Sequence, residues 1–407
     1  MEALYATAEA LLANTSETAS LALAELLVRR YAGLADKEKL GFLIYLLREM
    51  GPNPAAIDLA VDAYRMERSD ATMARLFQAV EPRRQAFFRS MNMAPGGTWT
   101  VLCMRADTLS FLDSHPELGP VEADLFHVLS SWFNRGFIVL EKINWRSPGA
   151  VLERLIAYEA VHEIRGWDDL RRRLEADRRC FGFFHPALGD EPLIFIEVAL
   201  THGLASSIQH VIDVPFDSSG GIVADTATFY SITNCQAGLR GIQLGNFLIK
   251  QVVRELAAEL PQLEVFSTLS PVPGFARWLA GARFSPLFSE PERTLIEGLD
   301  DPAWWEDPRR AEQVRPVLMR AGAHYLVRVK QRQQPDDPVA RFHLRNGARL
   351  ERINWLGDVS ANGMRQSHGL LVNYVYDDTQ INANHEAYVH EGIVAHGPEI
   401  AALLAAG

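Results

Sequence analysis

The sequence predicts an α+β protein, with an N-terminal all-α helical bundle followed by a mixed α/β domain that carries a helical insertion. Apolar side chains recur at helical spacing through the first ~140 residues. After residue 178 their period shortens from that of a helix to that of a strand. Strand-like runs then flank a glycine-bearing loop and a helix, and the pattern breaks up again from about 275 to about 337.

The helical region is legible segment by segment. SLALAELLVRRYAGL (20–34) has helical spacing, and KLGFLIYLLREMG (39–51) ends on a glycine stop. NPAAIDLAVDAYRM (53–66) opens with an asparagine cap and a proline in the first turn, where proline sacrifices no hydrogen bond. PVEADLFHVLSSWFNRG (120–136) repeats the pattern. SPGAVLERLIAYEAV (147–161) and WDDLRRRLEAD (167–177) are helices at the junction. This region shows no fixed-period repeat and no reactive cluster. Residues 1–165 are therefore expected to pack and self-associate, and 166–407 to carry the chemistry.

In the second region RCFGFFHP (179–186) and LIFIEVALT (193–201) are expected to form a hairpin, with ATFYSITNC (227–235) as a third strand. LRGIQLGNFL (239–248) leads into a helix with Leu244, Leu248, Val252 and Leu256 along one face. EVFSTL (264–269) follows as a strand, which predicts a right-handed crossover. FARWLAG and the stretch around Trp304 and Trp305 form the insertion, anchored by those tryptophans. PVARFHLRNGARLERINW (338–355) is a helix with a proline start, a stop at Gly347 and then a strand. LLVNYVYDD (370–378) is the last strand, in which Tyr376 is expected to pack in the core.

Composition narrows the function. The chain is 48% hydrophobic and 22% charged, as soluble globular proteins are. A net charge of -11 disfavours a general nucleic-acid binder. Apolar runs such as LIFIEVAL are too short to span a bilayer, and the N-terminus lacks a basic leader region. Cys103, Cys180 and Cys235 are sparse and odd in number, which suggests a reducing compartment. A cytoplasmic location is expected, and the C-terminal AALLAAG is no peroxisomal address. No CxxC, HExxH or other metal-ligand spacing occurs, so no metal is expected.

Two places carry chemistry. Backbone N–H groups at a strand-to-helix loop can hold a pyrophosphate, and Gly241 and Gly245 permit close approach. In FSTLSPVPGF (266–275) a strand ends at Ser270, pinned by Pro271 and Pro273. The order of hairpin, third strand, R-G-x-x-x-G loop, helix, strand and ARFHLRNGARL resembles the Gcn5-related N-acetyltransferase (GNAT) fold. Gln243 stands where that pattern usually has a glycine.

A closer resemblance is to the malonyl-CoA decarboxylase family. FYSITNCQAGLRGIQLGNFLIKQVVREL, FSTLSPVPGFARWL and PVARFHLRNGARLERINWLGDVSANG look like that family's blocks in its order, as do RRCFGFFHP and EPLIFIEVALT. The resemblance implies conversion of malonyl-CoA to acetyl-CoA and CO₂ without a cofactor. It implies a catalytic pair, Ser270 and His343, with His185 expected as a third catalytic residue. The acyl-CoA pyrophosphate is expected on Arg240, Gly241, Ile242, Gln243, Leu244, Gly245 and Asn246. Family members are commonly oligomeric, so a homodimer or homotetramer is expected. His343 is expected to protonate the enolate carbon, since histidine titrates near neutrality. No general base beside Ser270 is evident in the sequence, so the serine is expected to hold the carboxylate or thioester oxygen without forming an acyl-enzyme. An acyl-CoA-dependent N-acyltransferase and a non-catalytic CoA-thioester-binding protein are the alternatives.

Overall fold

The computed structural model describes residues 1–216, 224–242, 245–331 and 333–406. The chain forms two compact units. One comprises Met1–Val139, Phe184–Leu193 and Gln236–Leu244; the other comprises Leu140–Phe183, Ile194–Cys235 and Gly245–Gly407.

The first unit is helical: α1 (Glu2–Ala13), α2 (Glu17–Ala32), α3 (Asp36–Glu49), α4 (Pro54–Met66), α5 (Asp70–Val80), α6 (Arg83–Met91), α7 (Gly97–Phe111) and α8 (Gly119–Trp132). Its apolar stripes meet in a core that includes Phe42, Leu46, Phe87, Val101 and Leu125, all fully buried. The expected cap is present: Asn53 Oδ1 accepts from the N–H groups of Ala55 (3.1 Å) and Ala56 (3.4 Å). The 236–242 stretch lies against α7, where a Cβ on Gly238 would come within 2.2 Å of the Leu102 carbonyl oxygen.

The second unit begins with β1 (Val139–Ile143), α9 (Gly149–Tyr158), α10 (Trp167–Arg173), β2 (Arg178–Phe184), β3 (Pro192–Thr201), α11 (Ile208–Asp213), β4 (Thr226–Asn234), α12 (Gly245–Glu259), β5 (Val265–Thr268) and the two-residue β6 (Ser270–Pro271). The expected helical insertion follows as α13 (Phe275–Ala282), α14 (Glu290–Glu297) and α15 (Pro308–Arg328), with Trp304 buried against Trp355 at a ring distance of 5.8 Å. A small ribbon, β7 (Lys330–Gln331) and β8 (Gln334–Pro335), precedes α16 (Pro338–Arg345) and β9 (Arg349–Asn354). Then come α17 (Ala361–Ser367), β10 (Leu371–Val375), α18 (Ile381–Glu391) and α19 (Pro398–Ala405).

The sheet runs in the order β1-β2-β3-β4-β5-β10, with β6 and β9 also paired to β10. β3 and β4 are antiparallel, whereas β4 and β5 are parallel, as a strand–helix–strand order requires. Leu248, Val252 and Leu256 of α12 are buried, so that helix shows the face its spacing predicted. β1, α11 and α17–α19 have no separate signal in the sequence. INANHEAYVHE in α18 buries only Ile381 and Tyr388, so it carries no apolar stripe to read.

Candidate active site

Ser270 sits where the sheet splits. The parallel ladder between β4 and β5 ends at Phe229 and Thr268, and the Leu269 N–H still donates to the Phe229 carbonyl (2.9 Å). The next residue changes partner: Ser270 pairs with Val372 of β10, and Pro271 with Leu371. The sequence places the strand end at Ser270; instead β5 stops at Thr268 and the chain resumes as β6. Pro271 has no N–H to extend the ladder, so the resumed strand is short. Parting strands open a cavity, and Ser270 is held on its wall.

Opposite stands α16. Asp337 caps it and Pro338 fills its first position, a favoured pairing for a helix start. His343, two turns along, is buried with Ser270. Its Nε2 lies 3.1 Å from Ser270 Oγ, and its Nδ1 lies 2.7 Å from the Tyr376 hydroxyl. The Tyr374 ring stacks on the imidazole at 4.6 Å. The Ser270 hydroxyl donates to Thr268 Oγ1 (2.8 Å), which also accepts the Tyr374 N–H (3.1 Å). With its one proton given to Thr268, Ser270 accepts from His343 Nε2–H, and Nδ1 accepts from Tyr376. Burial pushes His343 down to about 3, so the imidazole is neutral near pH 7.

This geometry adds two groups. His343 reaches Ser270 from a segment 73 residues away, as a donor through Nε2–H. Tyr376 is buried as expected, yet it also bonds the histidine. In the sequence Thr268 shows only as part of a strand. The i, i+2 spacing of Tyr374 and Tyr376 signals that they share a face, but not that His343 lies over it.

The cavity measures about 250 Å³, and Val161, Ile232, Asn234, Ser270, Phe342 and His343 are among the residues that line it. Cavities for drug-sized ligands run to about 300–1,000 Å³, so this one suits the acyl end of a larger molecule. None of the described lining residues carries a resident positive charge. Val161 is fixed from below by Glu159, which ends α9. Its carboxylate accepts from the N–H groups of Val161 (2.7 Å) and His162 (2.9 Å) and from the hydroxyls of Ser231 and Thr233 on β4.

Of the other expected residues, Arg240, Gly241 and Ile242 lie in the helical unit. Arg240 and Gly241 are exposed, and Gly241 adopts φ +81°, a conformation open to glycine. Ile242 donates its N–H to the Leu239 carbonyl (3.0 Å). Gln243 and Leu244 lie outside the described residues; Gly245 and Asn246 open α12. The sequence did not single out Arg105 of α7, which supports this loop. Its guanidinium donates to the carbonyls of Gly238 (2.5 Å) and Arg240 (2.7 Å) and pairs with Glu122 (2.8 Å). His185 also belongs to the helical unit. Its Nδ1 accepts the Ala187 N–H (3.2 Å), its ring packs on Phe133 at 4.8 Å, and burial lowers its proton affinity. Ser270 and His343 are thus brought together in one unit, and His185 is placed in the other.

Known proteins resemble this chain along most of its length. A family model described as malonyl-CoA decarboxylase C-terminal domain matches residues 136–407, and one described as malonyl-CoA decarboxylase N-terminal domain matches residues 50–133. A mitochondrial malonyl-CoA decarboxylase of Anser anser anser is 37% identical over 398 residues, covering 89% of this chain and 79% of that protein. The crystal structure of malonyl-CoA decarboxylase from Rhodopseudomonas palustris superposes with a TM-score of 0.94 at 47% identity, over 98% of each chain. That from Agrobacterium vitis gives 0.93 at 48% identity, over 98% of this chain and 99% of the other.

Proposed function

The chain belongs to the malonyl-CoA decarboxylase family, and from that premise we propose that Ser270 and His343 carry out the reaction in the cavity beside β4. The reaction converts malonyl-CoA to acetyl-CoA and CO₂. The observation that most supports the site is the 3.1 Å contact between Ser270 Oγ and His343 Nε2 in a largely apolar cavity.

Cleavage of the bond between the carboxylate carbon and the α-carbon leaves an electron pair on the α-carbon. The thioester carbonyl takes up that charge as an enolate. The α-carbon then gains a proton, so each turnover consumes one proton. A carboxylate loses hydration in this cavity, whereas neutral CO₂ has little to lose, which favours bond cleavage. On substrate binding the Ser270 hydroxyl turns its proton from Thr268 Oγ1 to the carboxylate or thioester oxygen, where a positioned donor stabilises developing charge. His343 delivers the proton from Nε2. The ring is neutral in the free protein, and the substrate's negative charge raises its proton affinity, so the consumed proton enters with the substrate. No acyl-enzyme is needed, because the thioester is itself the electron sink.

Malonyl-CoA alone should give stoichiometric acetyl-CoA. Acyl loss only with an added amine would favour an acyltransferase, and binding without turnover a CoA-thioester-binding protein. Ser270→Ala should lower kcat by about 10²–10³. His343→Asn should lower it by about 10²–10⁴. The double variant should lose less than the product, since both groups serve one transition state. A covalent adduct on Ser270 seen by mass spectrometry during turnover would overturn this reading, as would wild-type kcat in His343→Asn.

Three further readings are ours. The loop from Arg240 to Asn246 binds the pyrophosphate, supported by the left-handed Gly241 and the start of α12 that follows. His185 stabilises its turn and takes no part in the chemical step, supported by its bond to Ala187. The helical unit self-associates, supported by the exposed Leu59, Met66 and Phe77 on α4 and α5. Sedimentation of the full-length protein as a monomer would refute the last. Cysteines that are sparse and odd in number fit a reducing compartment such as the cytoplasm. Among the described residues, no helix is long and apolar enough to cross a membrane.

A further inference from the structure

Ser270 begins a short, stiff path through the chain. Pro271 and Pro273 each lock their own φ and hold the residue before them extended, so Ser270 and Val272 have little backbone freedom. The path ends at Gly274, where a Cβ would lie 2.2 Å from the Tyr325 hydroxyl oxygen, so only glycine fits. The Gly274 N–H donates to Asp337 Oδ2 at 3.4 Å. Asp337 is fully buried, and its other oxygen, Oδ1, accepts from the N–H groups of Val339 and Ala340, both at 2.9 Å. Those N–H groups open α16, and α16 carries His343 back to Ser270 at 3.1 Å. The result is a closed ring: Ser270, the proline segment, Gly274, Asp337, α16 and His343.

We infer that Asp337 is a positioning residue for the reaction, joining the segment that fixes Ser270 to the helix that carries His343 and thereby setting the separation of the pair. This rests on the reading of Ser270 and His343 given above. Helix capping alone needs one oxygen, which asparagine or serine supplies equally well. The second oxygen, turned away from the helix toward Gly274, does what a cap does not require.

That difference separates the two roles by experiment. Asp337→Asn keeps an oxygen for the cap but turns an amide NH₂ toward the Gly274 N–H, which breaks the link. Asp337→Ser caps with a single oxygen and breaks the link by shortening. In both variants kcat should fall by about tenfold to a hundredfold, the scale expected from a small misplacement of reacting groups. KM for malonyl-CoA should stay near that of the parent. In a Ser270→Ala background, Asp337→Asn should cause almost no further loss, because the pair it aligns is already gone. The same fractional loss in that background would show a general structural effect and overturn the inference. Wild-type kcat in both Asp337 variants, with Ser270→Ala impaired, would overturn it while leaving the Ser270–His343 reading intact. Wild-type kcat in Ser270→Ala would remove both.

Discussion

His343 is oriented by a phenol and an aromatic ring, where hydrolytic triads use a carboxylate. A carboxylate would support a resting imidazolium. Tyr376, at 2.7 Å from Nδ1, orients the ring without adding charge, consistent with a histidine held neutral by burial. Tyr376→Phe keeps the packing and leaves Nδ1 unpartnered, a penalty of about 1–3 kcal/mol. If that penalty is felt at the transition state, kcat should drop by roughly fivefold to a hundredfold with little change in KM. Steady-state kinetics check this, and an unaltered kcat would exclude Tyr376 from the machinery.

At the scale of elements, one helix of the first unit shapes the proposed pyrophosphate loop. In a trans peptide the C=O and the following N–H point in opposite directions. By drawing the Arg240 carbonyl toward α7, Arg105 turns the Gly241 N–H away from α7, where a ligand can reach it. Losing hydrogen bonds from a charged group costs about 1.5–3 kcal/mol each. Arg105→Met should therefore raise KM for malonyl-CoA by about tenfold or more. Turnover of a malonyl thioester of bare pantetheine, which lacks the pyrophosphate, should be unaffected. Equal increases for both substrates, or none, would count against the assignment.

Across the whole molecule, buried histidines set how stability responds to acid. His162 and His368 are each pushed down to about 4 and His343 to about 3, chiefly by burial. Unfolded, each titrates near 6.5, so below that pH the unfolded chain binds more protons and stability falls as pH drops. Buried Glu197 acts in the opposite sense, because desolvation raises it to about 8 and favours the folded state as pH falls toward 4.5. The three histidines outweigh the one glutamate, so stability falls as pH drops from roughly 6.5 toward 4.5. The melting temperature should be clearly lower at pH 5 than at pH 7. His368→Asn should flatten that dependence by about 1.4 kcal/mol per pH unit. Equal melting temperatures at the two pH values would refute this account.

The sequence by itself determined the helical N-terminal region, most of the strand and helix order after residue 178, and the proline start of α16 at Pro338. Periodicity and caps are local, so a short window contains the whole signal. The pinned serine at 270 was equally legible, because proline restricts its neighbours along the chain. Ser270 and His343 were paired through resemblance, not through any local signal. The tertiary structure alone decided that their side chains meet, that Tyr376 joins them, and that Asp337 closes the ring. It also decided that Arg105, 135 residues before Arg240, holds that residue's carbonyl. These contacts join segments far apart in sequence, and the neutrality of His343 depends on burial by several elements at once. Distance and desolvation exist only once the elements have packed, so no run of residues records them.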